Sequence, residues 1–404
     1  MMKKFFARSN TPAQAPIRPT QNTINKKSFF IPQGKAAWMD KNYTSFALEG
    51  YVKNVITHRC IGIITSSASY IPFKMYKTDD LGSKIQINAH PALRLLNSPN
   101  TLDSRVDFMD AVYSYKLISG NSYILASRGI DGLPYQLSVL RPDRVSVLSN
   151  DFGETIGYRY ECKGKASDYM LNEITGACDV LHLKSFHPLN DYYGLSSIES
   201  ARFAIDQHNE AAEYSKSLLQ NSARPSGALV VKPNEYNSGG TLTDEQFDRL
   251  KDQMNEHIGT DNAGRPMILE GGLDWKEMSM SPKDMDFVEN KYSAARDIAL
   301  AFGIPPQLLG IPGDNTYSNM SEARLALWEQ TILPIVNDAV YGIGKWLSRL
   351  YNENFYLEFD KDKILAFASK KENQWSKIAA ADFLTPEEKK QILGIKKLLQ
   401  GDED

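Results

Sequence analysis

The residues able to do chemistry are sparse and poorly spaced. Cys162, Cys178, His182 and His187 fall in one stretch and carry atoms that zinc favours. A zinc knuckle separates its paired ligands by about two to four residues, and the gap from Cys162 to Cys178 is far longer. Cys178, Val180 and His182 would share one face of a strand, which reads as packing. Asp103, Asp107 and Asp110 are close in sequence. Asp107 and Asp110 stand at helical spacing, so they read as a solvated face. There is no Gly-x-x-x-x-Gly-Lys-Ser/Thr loop for nucleotide phosphates and no Gly-x-Ser-x-Gly nucleophile elbow. The residues therefore predict no enzyme, no cofactor and no metal site. A metal-dependent hydrolase or nuclease stands as the rival class.

The totals narrow the field further. A chain of 404 residues predicts two or more packed regions, and a 42% hydrophobic share is enough to build a core. With 46 basic against 49 acidic residues, the formal charge is -3. A protein that grips duplex DNA through phosphates usually carries a large basic excess. Three cysteines suggest no disulfide framework and read as reduced and intracellular. No run approaches the roughly 20 apolar residues of a membrane span. Before Asp40 there is no acidic residue, but Lys3, Lys4, Arg8, Arg18, Lys26, Lys27 and Lys35 are present among prolines. Residues 1–35 read as a basic arm rather than a targeting helix.

The elements that must position any function fall into two styles. Residues 51–69, 91–96 and 104–118 carry helical apolar spacing, the last stopped by Gly120. A period of two then takes over. Residues 123–125 and 136–140 flank the hairpin signal Gly129-Ile130-Asp131-Gly132, and 145–148, 158–160 and 180–183 read as further strands. Residues 36–195 are thus an α+β region. Ser196-Ser197-Ile198-Glu199 reads as a capping box opening a long helix to about residue 222. A helix of about 25 residues spans about 38 Å. It is Ala-rich with a thin apolar face, which suits packing in a ring of copies. A strand–helix–strand insert follows at 224–282, then a helix at 284–302 ended by Gly303 and Pro305-Pro306. The stretch 307–318 reads as a loop longer than the usual helix connection. Pro334 falls inside the next helix, 319–350, and predicts a kink. A short strand at 355–359 and a small helical pair, with Thr385 and Glu388 capping the last helix, complete the chain.

The order of these fragments resembles the portal proteins of the HK97 family of tailed phages, over roughly residues 45–398. Gly120-Asn121-Ser122-Tyr123-Ile124 precedes Leu140-Arg141-Pro142-Asp143-Arg144-Val145, and Tyr193-Gly194-Leu195-Ser196-Ser197-Ile198 heads the first long helix. Asn221-Ser222-Ala223-Arg224-Pro225-Ser226-Gly227 ends it, and Leu269-Glu270-Gly271-Gly272-Leu273 closes the insert. Ala301-Phe302-Gly303-Ile304-Pro305-Pro306-Gln307-Leu308-Leu309-Gly310 and Thr316-Tyr317-Ser318-Asn319 follow in order.

The resemblance implies a portal-type α+β fold. Residues 36–195 would be a wing, 196–223 and 283–303 two stem helices, and 224–282 a clip. Residues 304–318 would be a tunnel loop, 319–370 a kinked helix and strand returning to the wing, and 371–404 a short crown. It also implies a ring of about twelve copies at one capsid vertex. That ring would conduct double-stranded DNA during packaging and ejection, docking the large terminase subunit and then a head–tail adaptor, beside the major capsid protein. The place implied is the virion, with assembly in the bacterial cytoplasm. The particle could be a phage or a gene-transfer agent.

A conduit must enclose a polyanion and still let it slide, and every neutralised phosphate deepens binding. A nearly neutral subunit suits that demand. The expected tunnel-loop residues are Gln307, Leu308, Leu309, Asp314, Asn315, Thr316 and Tyr317, with Ile311 also apolar. On the stem, Arg202, Glu213, Lys216, Lys291 and Arg296 stand out; the bland reading is solvated helix faces with weak ion pairs. Lys232, Tyr236, Arg249 and Trp275 are the clip candidates for docking. The clip strands could pair within one chain or between neighbours.

Overall fold

The computed structural model describes residues 38–79, 82–220, 227–231, 244–256, 273–277, 287–312, 317–360 and 364–367, with short pieces between 375 and 389. The expected arm 1–35 lies outside them, as does most of the expected crown.

The first elements are a short helix, α1 (Tyr43–Ser45), which runs into a π-helical turn (Phe46–Val52), and then α2 (Val55–Ser69). Expected as one helix from 51, the segment is reset at Asn54. That side chain accepts from the Ile56 and Thr57 amides at 3.1 and 2.9 Å and caps a new helix. Strands β1 (Phe73–Thr78) and β2 (Lys84–Ile87) follow, then α3 (Pro91–Asn97) and α4 (Arg105–Ser119). Ser104 and Asp107 close a capping box on α4, and Gly120 ends it at φ +77°. Asp107 is thus a cap, and Asp103 accepts from Asn100 Nδ2 at 2.9 Å.

The β-rich half comprises β3 (Asn121–Arg128), β4 (Pro134–Leu140), β5 (Val145–Ser149), β6 (Thr155–Cys162), β7 (Lys165–Met170) and β8 (Val180–Lys184). They form two antiparallel sheets, ordered β4-β3-β8 and β5-β6-β7. Strand β7 escaped the sequence reading because it buries almost nothing, so no apolar alternation marks it.

The long helix α5 (Ser197–Gln220) starts where expected, but its capping box does not form. Ser196 Oγ accepts from the Ile198 amide at 3.0 Å and donates to Ile118 O at 2.5 Å. Glu199 pairs with Lys41 at 3.1 Å instead. Helix packing outcompeted the local motif.

The insert contains β9 (Gly227–Val231), α6 (Asp244–Glu256) and β10 (Leu273–Glu277). Strands β9 and β10 pair antiparallel within one chain, Trp275 opposite Leu229. The expected strand 267–269 lies outside the described residues. Helix α7 (Phe287–Ala301), α8 (Tyr317–Leu327), a π-helical turn (Trp328–Ile332), α9 (Leu333–Tyr351) and β11 (Tyr356–Phe359) follow. Pro334 lies inside the continuous helical run of α8, the π turn and α9, and the π turn just before it loosens the winding where the proline amide is missing. Strand β11 pairs with β1, so the C-terminal part closes the first sheet, β11-β1-β2. Thr385 and Glu388 do exchange capping bonds, at 2.8 and 3.3 Å.

One apolar core runs from Met39 to Ile364 through α2, α4, the start of α5, the end of α7, and α9. A smaller one under the β half joins Tyr123, Leu140, Val145, Cys178 and Val180. Trp346 Nε1 donates to Cys178 O at 2.7 Å and Tyr351 OH to Pro134 O at 3.2 Å, binding α9 to the β half.

Candidate functional site

Helices α5 and α7 pack along one another, each buried at one end and exposed at the other. On α5, Ile198, Ala201, Ile205, His208 and Ala211 are buried at spacings of three and four. Beyond them Ala212, Glu213, Ser215, Lys216 and Ser217 are exposed. On α7 the order reverses: Val288, Glu289, Asn290 and Lys291 are exposed, while Ala294, Ala295, Ile298, Ala299 and Phe302 are buried. The pair is therefore two rods rooted in the core at their buried ends, with exposed stretches that adjoin the insert in sequence.

Three sets of contacts root the rods. The segment before α1 is strapped along α5. Asp206 Oδ2 accepts from the Met39 amide at 2.7 Å, Arg202 donates to Met39 O at 3.4 Å, and Trp38 meets Phe203 edge-on at 4.7 Å. Deeper in, Asn54 Nδ2 donates to His208 Nδ1 and Asn209 Oδ1, at 3.2 and 3.0 Å. Asn209 Nδ2 donates to Glu49 O at 3.0 Å. Because Asn54 Oδ1 is spent on two backbone amides, its amide nitrogen must face His208, and that Nδ1 must be unprotonated. Burial, then the Lys291 charge, pushes the His208 pKa down, in keeping with a neutral ring. The third root is Thr331, whose hydroxyl donates to Gly303 O at 2.6 Å just past α7.

After Gly303 the chain turns through a 3-10 segment, Pro306–Leu309. Leu308 and Leu309 pack on the main core and Ile311 is buried. These three were expected in a projecting loop; their apolar character serves the core instead. Gln307 also lies in this turn, and its Oε1 is buried. Arg296 donates to Pro312 O at 3.1 Å, pinning the turn to α7. Asp314, Asn315 and Thr316 lie outside the described residues. Tyr317 opens α8 and is not in a loop. Of the insert residues, Arg249 is exposed on α6, Trp275 lies on β10, and Lys232 and Tyr236 lie outside the described residues.

The apparent metal set is dispersed. His182 stacks on Tyr123 at 4.3 Å and its Nε2 donates to Asn121 Oδ1 at 3.0 Å. Cys178 Sγ accepts from the Val180 amide, Cys162 Sγ from Arg144, and His187 Nδ1 from the Leu189 amide. Among the described residues no three His, Cys, Asp or Glu side chains gather to hold a metal ion. No described helix is long and apolar enough to cross a membrane.

Two rods carrying a small insert, rooted in an α+β body, invite comparison with known proteins. The sequence model of the family described as Phage portal protein matches residues 56–394. The chain belongs to the phage portal protein family. Within it, the "Portal protein" of Enterobacteria phage HK97 is 24% identical over 295 residues, 72% of this chain and 66% of that one. A Rickettsia bellii (strain RML369-C) protein, described as uncharacterized, is 44% identical over 382 residues, 94% of this chain and 97% of its own. A chain of the solved structure "Neck of native GTA particle computed with C12 symmetry" superposes with a TM-score of 0.68 at 38% identity. That match covers 90% of this chain and 96% of the other. The portal fold expected from the sequence is therefore established, and the chain is similar to a chain of a gene-transfer-agent neck. The rooting contacts escaped the sequence reading: Asn54, His208, Asn209 and Thr331 are polar residues that no local pattern marks as partners.

Proposed function

We propose that this chain is the subunit of a closed ring of about twelve copies, at the portal vertex of a phage or gene-transfer-agent particle. The ring conducts double-stranded DNA, docks the large terminase subunit during packaging and a head–tail adaptor afterwards, and sits against the major capsid protein. In this reading residues 36–195 with the 319–370 return form the wing. Residues 196–223 and 283–303 are the stem, 224–282 the clip, 304–318 the tunnel segment and 371–404 a short crown.

The observation that carries the reading is the pair of half-rooted rods. A lone molecule leaves the exposed stretches of α5 (within 212–217) and α7 (288–291) to water, whereas a ring buries such faces between copies. The near balance of 46 basic and 49 acidic residues supports a conduit that does not trap its polyanion. Asp314, Asn315 and Thr316 are the tunnel residues that this reading places nearest the DNA. Leu308, Leu309 and Ile311 serve as the anchor of that segment. Docking at the clip falls to Lys232, Tyr236, Arg249 and Trp275.

Negative-stain images of the purified full chain test the proposal. Closed annuli with a central hole are expected, with only weak, strongly salt-dependent retention of linear duplex. A chain that stays monomeric at tens of micromolar, or a metal-dependent loss of duplex in a nuclease assay, would overturn it.

A further inference from the structure

Two surface features lie at opposite ends of α4. Near its C-terminal end, the turn between β5 and β6 meets the segment 185–193. Ser185 N donates to Gly120 O at 2.9 Å, fixing that segment to the end of the helix. Tyr192 OH donates to Gly153 O at 3.0 Å, and Tyr193 OH accepts from the Val147 amide at 3.1 Å, so the two loops form one rigid tip. On this tip Phe152, Phe186 and Leu189 are 90%, 86% and 91% exposed. Single exposed apolar side chains are ordinary, but three on joined loops mark a surface that another surface covers. Asp151, Glu154 and Asp191 flank them, all exposed. The nearby Lys184 ammonium is engaged with Asp191 O.

At the N-terminal end of α4 lies a half-open cavity of about 870 Å³. Tyr70, Ile71, Pro72 and Trp328 give it apolar walls, and Arg105 and Arg324 give it charge. Among the described residues no acidic side chain lines it. The Arg105 guanidinium donates to Ser69 O, Tyr70 O and Ile71 O at 3.3, 3.4 and 2.6 Å, so its charge is held in place at the end of α2. Tyr70 is 75% exposed at the rim. The cavity lies in the range of about 300–1,000 Å³ that accommodates compact ligands, so it has room for an aromatic side chain of such a tip.

A helix of 15 residues is about 22 Å long. Tip and cavity thus cannot meet within one chain. We infer that the acid-flanked tip of one copy seats in the arginine-bearing cavity of the next. Phe152 with Phe186 and Leu189 supply the apolar plug, and Asp151 and Glu154 pair with Arg105 and Arg324. Every copy then offers one plug and one socket. Such a head-to-tail joint closes into a ring when its rotation divides the circle. The inference deepens the ring reading and rests on it.

The test uses the full chain and two surface variants, Phe152→Asp in the plug and Arg324→Glu in the socket. Mass photometry of the wild-type chain is expected to show rings. Each variant alone should lose them, by tenfold or more in ring population, with an unchanged thermal melt. Mixing the two variants leaves one intact joint per pair, so discrete dimers should appear without rings. A Tyr70→Cys, Phe152→Cys double variant should give a ladder of disulfide-linked copies under mild oxidation, a readout independent of the charge changes. Wild-type rings together with variant rings, or oxidised rings that run only as single chains, would overturn the joint and leave the ring reading intact. A wild-type chain without rings would overturn both. If the cavity is covered instead by another protein or by another segment of this chain, the ladder does not form.

Discussion

Gly120 and Gly194 lie backbone against backbone. A Cβ on Gly120 would fall 2.4 Å from Gly194 O, and one on Gly194 would fall 2.2 Å from Gly120 O. Asn121 Oδ1 accepts from the Gly194 amide at 2.7 Å and completes the joint. This is where α4 ends, where β3 begins and where the chain enters α5, so α5 is set on the body by a contact that tolerates no side chain.

Gly194→Ala should therefore destabilise the chain by about 3 kcal/mol, since backbone on both sides cannot yield. Gly132→Ala is the control. It has φ +74° but nothing near its Cβ position, so only the left-handed backbone penalty of about 1 kcal/mol applies. Paired urea titrations should separate the two.

Buried histidines make the protein acid-sensitive. Burial, with a smaller contribution from Lys184, pushes His182 from its ordinary 6.5 down to about 3. The unfolded chain then takes up protons that the folded chain refuses. This share of stability is complete above about pH 6.5 and is lost as the pH falls from there toward 3. The slope is on the order of 1 kcal/mol per pH unit for His182. His208, shifted the same way, adds to it. Urea midpoints between pH 7.5 and 5 should fall, and His182→Gln should flatten the slope.

Thr331→Val should cost about 1–2 kcal/mol. It removes the bond to Gly303 O at 2.6 Å and keeps the side chain's shape, so the lost hydrogen bond dominates. Amide exchange near Gly303 should rise more than exchange in α2.

The thiols should differ in reactivity. Burial pushes Cys60 up to about 12 and raises Cys178 as well. Cys162 is partly exposed, with Arg144 Nη1 at 3.4 Å. A maleimide reagent at neutral pH should modify Cys162 first, with Cys60 reacting only on unfolding. Mass spectrometry of labelled peptides reads the order.

Most of the architecture was legible because it is local. Periodicity marked α2, α4, α5 and the hairpin β3–β4, and Gly120 ended α4 as a left-handed cap. Ordered short motifs carried the resemblance to the portal family. Local signals failed where tertiary demand was stronger. Ser196 turned to Ile118 O and Glu199 to Lys41, against the capping box that their spacing favours. Leu308, Leu309 and Ile311 went to the core although their spacing suggested a projecting loop.

The amino-acid order alone determined most of the helices and strands, that the balance of charge is near even, and which family the chain resembles. These follow from period, composition and short motifs, each readable without knowing what lies across the fold. Folding in three dimensions decided which half of each rod is buried, where His208 finds Asn54, and that one tip and one cavity stand at opposite ends of α4. Those relations join residues far apart in the chain, and only packing brings such residues together.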